Sequence, residues 1–233
     1  MMLALDEAIG RVCKKLVETG LEQNTFVLFI SDNGGPTMPG TTVNASRNDP
    51  LRGSKRTTLE GGVRVPFLLS WPGQVKPGEF GLPVIQIDAH ATALAVAGVT
   101  PKPEWKLDGV NLLPFLNGEM KGAPHDGLYW RFGEQMAIRA GDYKLVRHDK
   151  NADTLTGKNN QGVTAARLYS LASDLGETKD LAATMPDKVK ELQSKWDAWN
   201  KGNVKPLWGA GGGDSDGTEP GAAPRRTNTK PEN

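Results

Sequence analysis

Asp32 and Asn33 stand where the apolar run Thr25-Phe26-Val27-Leu28-Phe29-Ile30-Ser31 breaks into Gly34-Gly35-Pro36. An acid followed by an amide offers one anionic and one neutral oxygen, which suits a hard divalent cation such as calcium or magnesium better than zinc. Open α/β sheets build their sites at the carboxyl ends of strands, and the glycine pair would let the chain turn sharply and expose both side chains at such a rim. An ordinary Asx turn accounts for the same residues, since Asp, Asn and Gly are favoured in turns.

Two further polar clusters follow, Asn48-Asp49-Pro50-Leu51-Arg52-Gly53-Ser54-Lys55 and Glu60-Gly61-Gly62-Val63-Arg64-Val65-Pro66. Proline and glycine keep the first from being a regular helix. In such a loop Lys55 is a compact point charge able to bind a nonbridging or leaving-group oxygen of an anionic ester, and Arg52 offers a planar fork to the same anion. The alternatives are a solvated basic loop or an internal pairing of Lys55 with Glu60.

The elements that must position these groups have an α/β rhythm. Leu3, Leu5, Ala8, Ile9, Val12, Leu16 and Val17 recur at helical spacing up to Gly20. Cys13, inside that helix, reads as a small packed thiol. The run from Thr25 to Ile30 is apolar on both faces, which predicts a strand of a parallel sheet covered by helices above and below. Val65 to Trp71 reads as another buried strand closed by Pro72-Gly73. Asp88 is placed to cap a helix that ends at Gly98 and carries His90 in its first turn, where a packing or capping role is expected.

Residues 100–124 are rich in proline and glycine and read as a connection to a second unit with a different pattern. Leu128-Arg131, Gln135-Arg139, Tyr143-Arg147 and Ala166-Ser170 are short strands of partial alternation, which predicts a small antiparallel sheet. Pro186 opens a helix that sets Val189, Leu192, Trp196 and Trp199 on one stripe, core against that sheet. Past Gly202 the chain is too poor in apolar residues to offset its ordering entropy, so a mobile tail is expected. The division is therefore 1–123, 124–201 and 202–233.

Bulk properties narrow the classes. Among 233 residues, 28 basic side chains balance 27 acidic ones, so nothing here argues for nucleic acid or an anionic membrane as a partner. Cys13 is the only cysteine, which excludes an internal disulfide and a cysteine-rich zinc site. No stretch approaches the roughly 18 apolar residues of a membrane span, and Met1-Met2-Leu3 leads straight into Asp6 and Glu7 without a secretory signal.

Taken in order, T-F-V-L-F-I-S-D-N-G-G, N-D-P-L-R-G-S-K and E-G-G-V-R-V-P-F-L-L-S-W-P-G resemble the carboxyl half of the catalytic domain of type I sulfatases, the formylglycine-dependent members of the alkaline phosphatase superfamily. The likeness continues through Ile87-Asp88, Leu107-Asp108-Gly109-Val110, Ala137-Ile138-Arg139, Tyr143-Lys144-Leu145 and Leu168-Tyr169-Ser170-Leu171. It implies an α/β fold, the carboxyl half of an alkaline-phosphatase-like sandwich sheet flanked by helices, joined to a small antiparallel sheet with one packed helix.

The same resemblance implies hydrolysis of a sulfate ester by a hydrated formylglycine, with Asp32 and Asn33 as ligands to calcium or magnesium and Lys55 contacting the sulfate and steadying the leaving oxygen. Arg52 lies in the matching loop, as a contact to substrate or as a brace. The nucleophile motif C/S-x-P-x-R does not occur: Cys13 is followed by Lys14-Lys15-Leu16, and Ser70-Trp71-Pro72-Gly73 ends in Gln74. The expected partners are thus a sulfate ester and an amino-terminal half of the catalytic domain, without which the chain is expected to be inactive and to bind calcium weakly. Such enzymes are exported to the periplasm or outside the cell, or are lysosomal. A phosphate or phosphonate ester hydrolase of the same superfamily and a noncatalytic binding protein remain alternatives. Arg131, His125 and His148 read as surface or strand residues.

Overall fold

The computed structural model describes residues 2–37, 45–152 and 162–205. Its helices are α1 (Met2–Glu18), α2 (Glu60–Val63), α3 (Asp88–Val96), α4 (Leu113–Leu116) and α5 (Pro186–Asn200). Its strands are β1 (Val27–Ile30), β2 (Phe67–Ser70), β3 (Leu128–Phe132), β4 (Gln135–Ala140), β5 (Tyr143–Arg147) and β6 (Arg167–Ser170). The expected tail beyond Val204-Lys205 lies outside the described residues.

Helix α1 closes as its apolar spacing predicts: Leu21 N–H donates to the Leu16 carbonyl at 2.9 Å and Gly20 N–H to that of Val17 at 3.0 Å, the paired bonds of a Schellman stop. No residue of α1 is buried. Cys13 is therefore exposed rather than packed, because among the described residues nothing buries the helix face it shares with Val12.

The first sheet also departs from expectation. Strands β1 and β2 pair antiparallel, Val27 opposite Ser70 and Ile30 opposite Phe67, where a parallel arrangement was predicted. The pair is not sealed on both faces, for Phe29 is 36% and Leu68 57% exposed. Apolarity on both faces of a strand signals a need for cover; it carries no information on strand direction.

The second sheet matches its sequence pattern closely. Strands β3 to β6 form a four-stranded antiparallel meander in chain order. Alternation sends Met136, Ile138, Leu145 and Leu168 to one face, where Leu192, Val189 and Trp196 of α5 pack on them. Trp196 Nε1 donates to the Trp130 carbonyl at 3.2 Å, and Trp199 stacks on Tyr129 with ring centroids 5.3 Å apart. Truncating Leu192, which is fully buried, would cost about 2–5 kcal/mol.

The opposite face of this sheet is covered too, which the residue pattern did not disclose. Ala137, Val146 and Tyr169 pack there against Leu59, from the loop that precedes α2. The amino-terminal loops and the carboxyl-terminal sheet thus share one core.

Asp88 does not cap its own helix. Its Oδ2 accepts from Ile85 N–H at 2.9 Å and its Oδ1 from Val110 N–H at 2.9 Å, while His125 Nε2 lies 2.9 Å from Oδ1. This buried carboxylate ties the residues before α3 to the connection after it. His125 is accordingly a structural partner, whereas His90 is exposed. His148 is buried, with Nδ1 2.9 Å from the Asp149 carbonyl oxygen.

Candidate active site

The segment after β1 is held from three sides. Ser31 Oγ donates to the Asn33 carbonyl at 2.9 Å, and Gln86 Nε2 donates to the carbonyls of Ser31 at 2.6 Å and Asp32 at 3.0 Å. Gly34 N–H donates to the Gly62 carbonyl at 3.0 Å. A Cβ on Gly34 would sit 1.7 Å from the carbonyl oxygen of Gly61, so the site loop and the Glu60-Gly61-Gly62 turn touch backbone to backbone. Close approach, and not the sharp turn expected from the sequence, is what demands glycine at position 34.

Lys55 joins the same assembly through its main chain, its N–H donating to the Gly35 carbonyl at 3.2 Å. Asn48 locks the junction. Its Oδ1 accepts from Gly35 N–H at 2.9 Å, and its Nδ2 donates to the carbonyls of Gly35 and Gly53, each at 2.9 Å. Behind the loop, Gln135 of β4 donates from Nε2 to the Arg56 carbonyl at 2.9 Å and accepts from Thr58 N–H at 3.3 Å.

These contacts bring Asp32, Asn33 and Lys55 to the wall of one cavity of about 520 Å³. Trp130, Phe132, Val63 and Ile85 supply its apolar surface, and Arg56, Arg64, Arg131, Arg139 and Glu60 line it as well. Asn33 Nδ2 donates to the Gly34 carbonyl at 3.1 Å, leaving Oδ1 without a partner among the described residues. Neither the Asp32 carboxylate nor the Lys55 ammonium has an ion-pair partner among the described residues. The predicted alternative of a Lys55–Glu60 pair is not formed, because Glu60 is taken by Lys144 and Arg64.

Arg52 does not line the cavity. Its Nη1 donates to the Glu177 carbonyl at 2.7 Å and to Tyr169 Oη at 3.2 Å, which braces the loop on the second sheet. Of the two readings of Arg52, these Nη1 bonds favour the brace. Arg131 lies at the cavity through β3, with Nη1 donating to Asn200 Oδ1 at 2.6 Å and Nη2 to the Val204 carbonyl.

A buried ionic cluster backs the site. Lys144 Nζ stands 2.8 Å from Glu60 Oε1 and 3.0 Å from Glu177 Oε1, all three side chains almost wholly buried. Glu177 Oε2 also accepts from Glu60 N–H at 2.7 Å. Burial pushes the Glu60 carboxyl up, but Lys144, with help from Arg139 and Arg64, outweighs it and holds the group below its usual value. For Glu177 burial prevails over Lys144, and the carboxyl is raised. Asn48, Gln86, Gln135, Lys144 and Glu177 escaped the sequence reading because their partners are distant in the chain.

As a metal site the residues present are incomplete. Asp32 and Asn33 have the hard oxygens that calcium or magnesium takes, yet among the described residues no group of three or more His, Cys, Asp or Glu gathers around a common point. No helix among the described residues is long and apolar enough to cross a membrane.

The fold belongs to the alkaline-phosphatase-like class, as its likeness to solved sulfatase structures shows. The solved structure of Ps i-CgsB superposes with a TM-score of 0.74 at 28% identity, over 90% of this chain and 44% of that one. That of the PsFucS1 sulfatase from Pseudoalteromonas sp. does so with a TM-score of 0.69 at 25% identity, over 86% and 41%. Residues 1–99 match the family model described as Sulfatase, and residues 53–195 the one described as N-sulphoglucosamine sulphohydrolase, C-terminal. The chain belongs to the sulfatase family. Human N-acetylgalactosamine-6-sulfatase is 35% identical over 70% of this chain and 33% of its own length. Human arylsulfatase A is 32% identical over 82% and 41%. The chain thus spans less than half the length of the curated relatives it matches.

Proposed function

We propose that this chain supplies the cation-binding and anion-binding side of a sulfate ester hydrolase site. The observation that carries the reading is that Asp32, Asn33 and Lys55 line one cavity, coupled by the bond from Lys55 N–H to the Gly35 carbonyl. Lys55 would hold an oxygen of the ester and steady the charge that grows on the leaving oxygen. Asp32 and Asn33 would hold calcium, or magnesium, whose contribution when bound is to withdraw charge from the ester oxygens. Val63, Trp130 and Phe132 would keep water from the alcohol portion.

The chain's own residues include no C/S-x-P-x-R, so the formylglycine nucleophile of this reading comes from an amino-terminal catalytic segment. With that segment bound, the reaction is hydrolysis of a sulfate ester, in an exported or lysosomal setting. The names of the relatives support sulfate over phosphate as the ester.

Nuclear magnetic resonance titration of the 233-residue chain tests this directly. Calcium chloride should shift the amides of residues 31–35 with millimolar or weaker affinity, an effect lost in Asp32→Ala. Sodium sulfate should shift Lys55 and its neighbours, an effect lost in Lys55→Met. Shifts confined to other surfaces would overturn the reading.

A further inference from the structure

Within the same cavity, positive charge is in excess on a part of the wall that the reading above leaves without a task. Arg64 follows α2 and Arg139 lies on β4, and both line the cavity with Glu60. Glu60 cannot neutralise them. It is one carboxylate shared among several cations: its Oε1 is bonded to Lys144 at 2.8 Å and its Oε2 pairs with Arg64 Nη1 at 3.5 Å, so it cannot balance Arg64 and Arg139 as well as Lys144. Arg139 is half-buried; its Nε donates to the Gly141 carbonyl at 3.3 Å, and its two terminal nitrogens have no partner among the described residues.

The strand register explains how this arises. Leu128 lies opposite Arg139, Arg139 opposite Lys144, and Lys144 opposite Tyr169, so one row across the sheet carries two cations side by side. Glu60 and Glu177 both contact Lys144, which leaves Asp142 as a further carboxylate near Arg139. Burial holds the Arg139 guanidinium below its usual value, against the pull of Glu60, and repulsion from Arg64 adds to the effect. Two guanidinium groups on the wall of one cavity, with the terminal donors of Arg139 open, are arranged for an oxyanion.

We propose that Arg64 and Arg139 form a second anion subsite, which makes the cavity selective for esters whose alcohol portion carries another sulfate or carboxylate. The inference rests on the sulfate ester reading, and Lys55 and the second subsite then hold two different anions of one substrate. Trp130 offers the portion between them an apolar face.

The test uses the 233-residue chain and three probes built on one pyranose ring: the 6-sulfate, the 2,6-disulfate and the 6-sulfate of a ring bearing a carboxylate. Dissociation constants come from amide shifts of Lys55, Arg64 and Arg139. We expect at least one dianionic probe to bind about tenfold more tightly than the monosulfate, the equivalent of one charge-assisted hydrogen bond, and to shift all three residues. In R64Q/R139Q the ratio should fall towards one. R64Q alone, at an exposed position, should lower it in part. Equal affinity for all three probes in the unaltered chain would overturn the subsite while leaving the sulfate ester reading intact. Absence of any Lys55 shift with the monosulfate would remove both.

Discussion

Lys144, the second residue of β5, places its ammonium 2.8 Å from Oε1 of Glu60, the first residue of the short helix that walls the cavity. A pair separated by 84 residues in the chain is in this way the joint between the carboxyl-terminal sheet and the candidate site. Both groups are almost fully shielded from water. Removing one partner leaves a charge in a medium that solvates it poorly, whereas removing all of them together does not.

Lys144→Met should therefore destabilise the chain by about 3–5 kcal/mol in urea unfolding. Adding Glu60→Gln and Glu177→Gln to it should restore much of the loss. A single variant as stable as the parent would contradict the role given to this cluster.

The two carboxyls respond to pH with opposite sign. Glu177 has a raised folded value, so its contribution is fully present below the ordinary value of 4.5 and is lost as pH rises through the raised one. Glu60 has a lowered folded value, so its contribution is present above 4.5 and is lost as pH falls through the lowered one. In thermal unfolding followed from pH 4.5 upwards, the stability of Glu177→Gln relative to the parent should rise with pH. A flat difference would speak against the raised carboxyl.

Glycine substitutions should separate two physical roles. Gly34→Ala drives a Cβ to 1.7 Å from a backbone oxygen and should cost about 1–3 kcal/mol while abolishing the calcium-dependent shifts of residues 31–35. Gly10→Ala, in α1 with nothing within 4 Å of the new atom, should stabilise by about 0.5–1 kcal/mol. Circular dichroism melts of the two variants provide the comparison.

Asn48→Ala removes the hydrogen bonds that clamp Gly35 to Gly53, though Asn48 is not part of the cavity wall. Each buried group left unpaired costs about 1–3 kcal/mol. The expected signature is weaker sulfate binding at Lys55, with the Lys55 side chain itself intact. Unchanged affinity would show that the clamp does not position the lysine.

Exposed Leu3, Val12 and Val17 on α1, with Leu68 on β2, leave apolar surface that favours association. Sedimentation velocity should show self-association that rises with concentration, and Val12→Lys with Leu68→Lys should reduce it. A strictly monomeric parent chain would remove this expectation.

The second sheet was legible strand by strand, because β3 to β6 are short runs of partial alternation and turns such as Ala140-Gly141-Asp142 punctuate them. Helix α5 was legible from Pro186 and its tryptophan stripe for the same reason: period and punctuation are local properties. The antiparallel pairing of β1 with β2, the exposure of Cys13 and the use of Asp88 as a tie were not, since each depends on what packs against the segment. At the site, the residue types at positions 32, 33 and 55 suggested the chemistry proposed for them, while the type of Arg52 left substrate contact and brace open until its bonds to Glu177 and Tyr169 were seen.

The ordered motifs thus disclosed the likeness to sulfatases, local spacing determined the sheet-and-helix unit, and side-chain chemistry singled out the three residues proposed for cation and ester. Only the folded chain decided that a glycine-to-glycine contact and Asn48 draw those residues to one cavity, and that Lys144, Glu60 and Glu177 back it. The reason is physical. A side chain's charge and hydrogen-bonding capacity are written in its type, but its partners are chosen by backbone approach and by exclusion of water, which arise when distant segments pack.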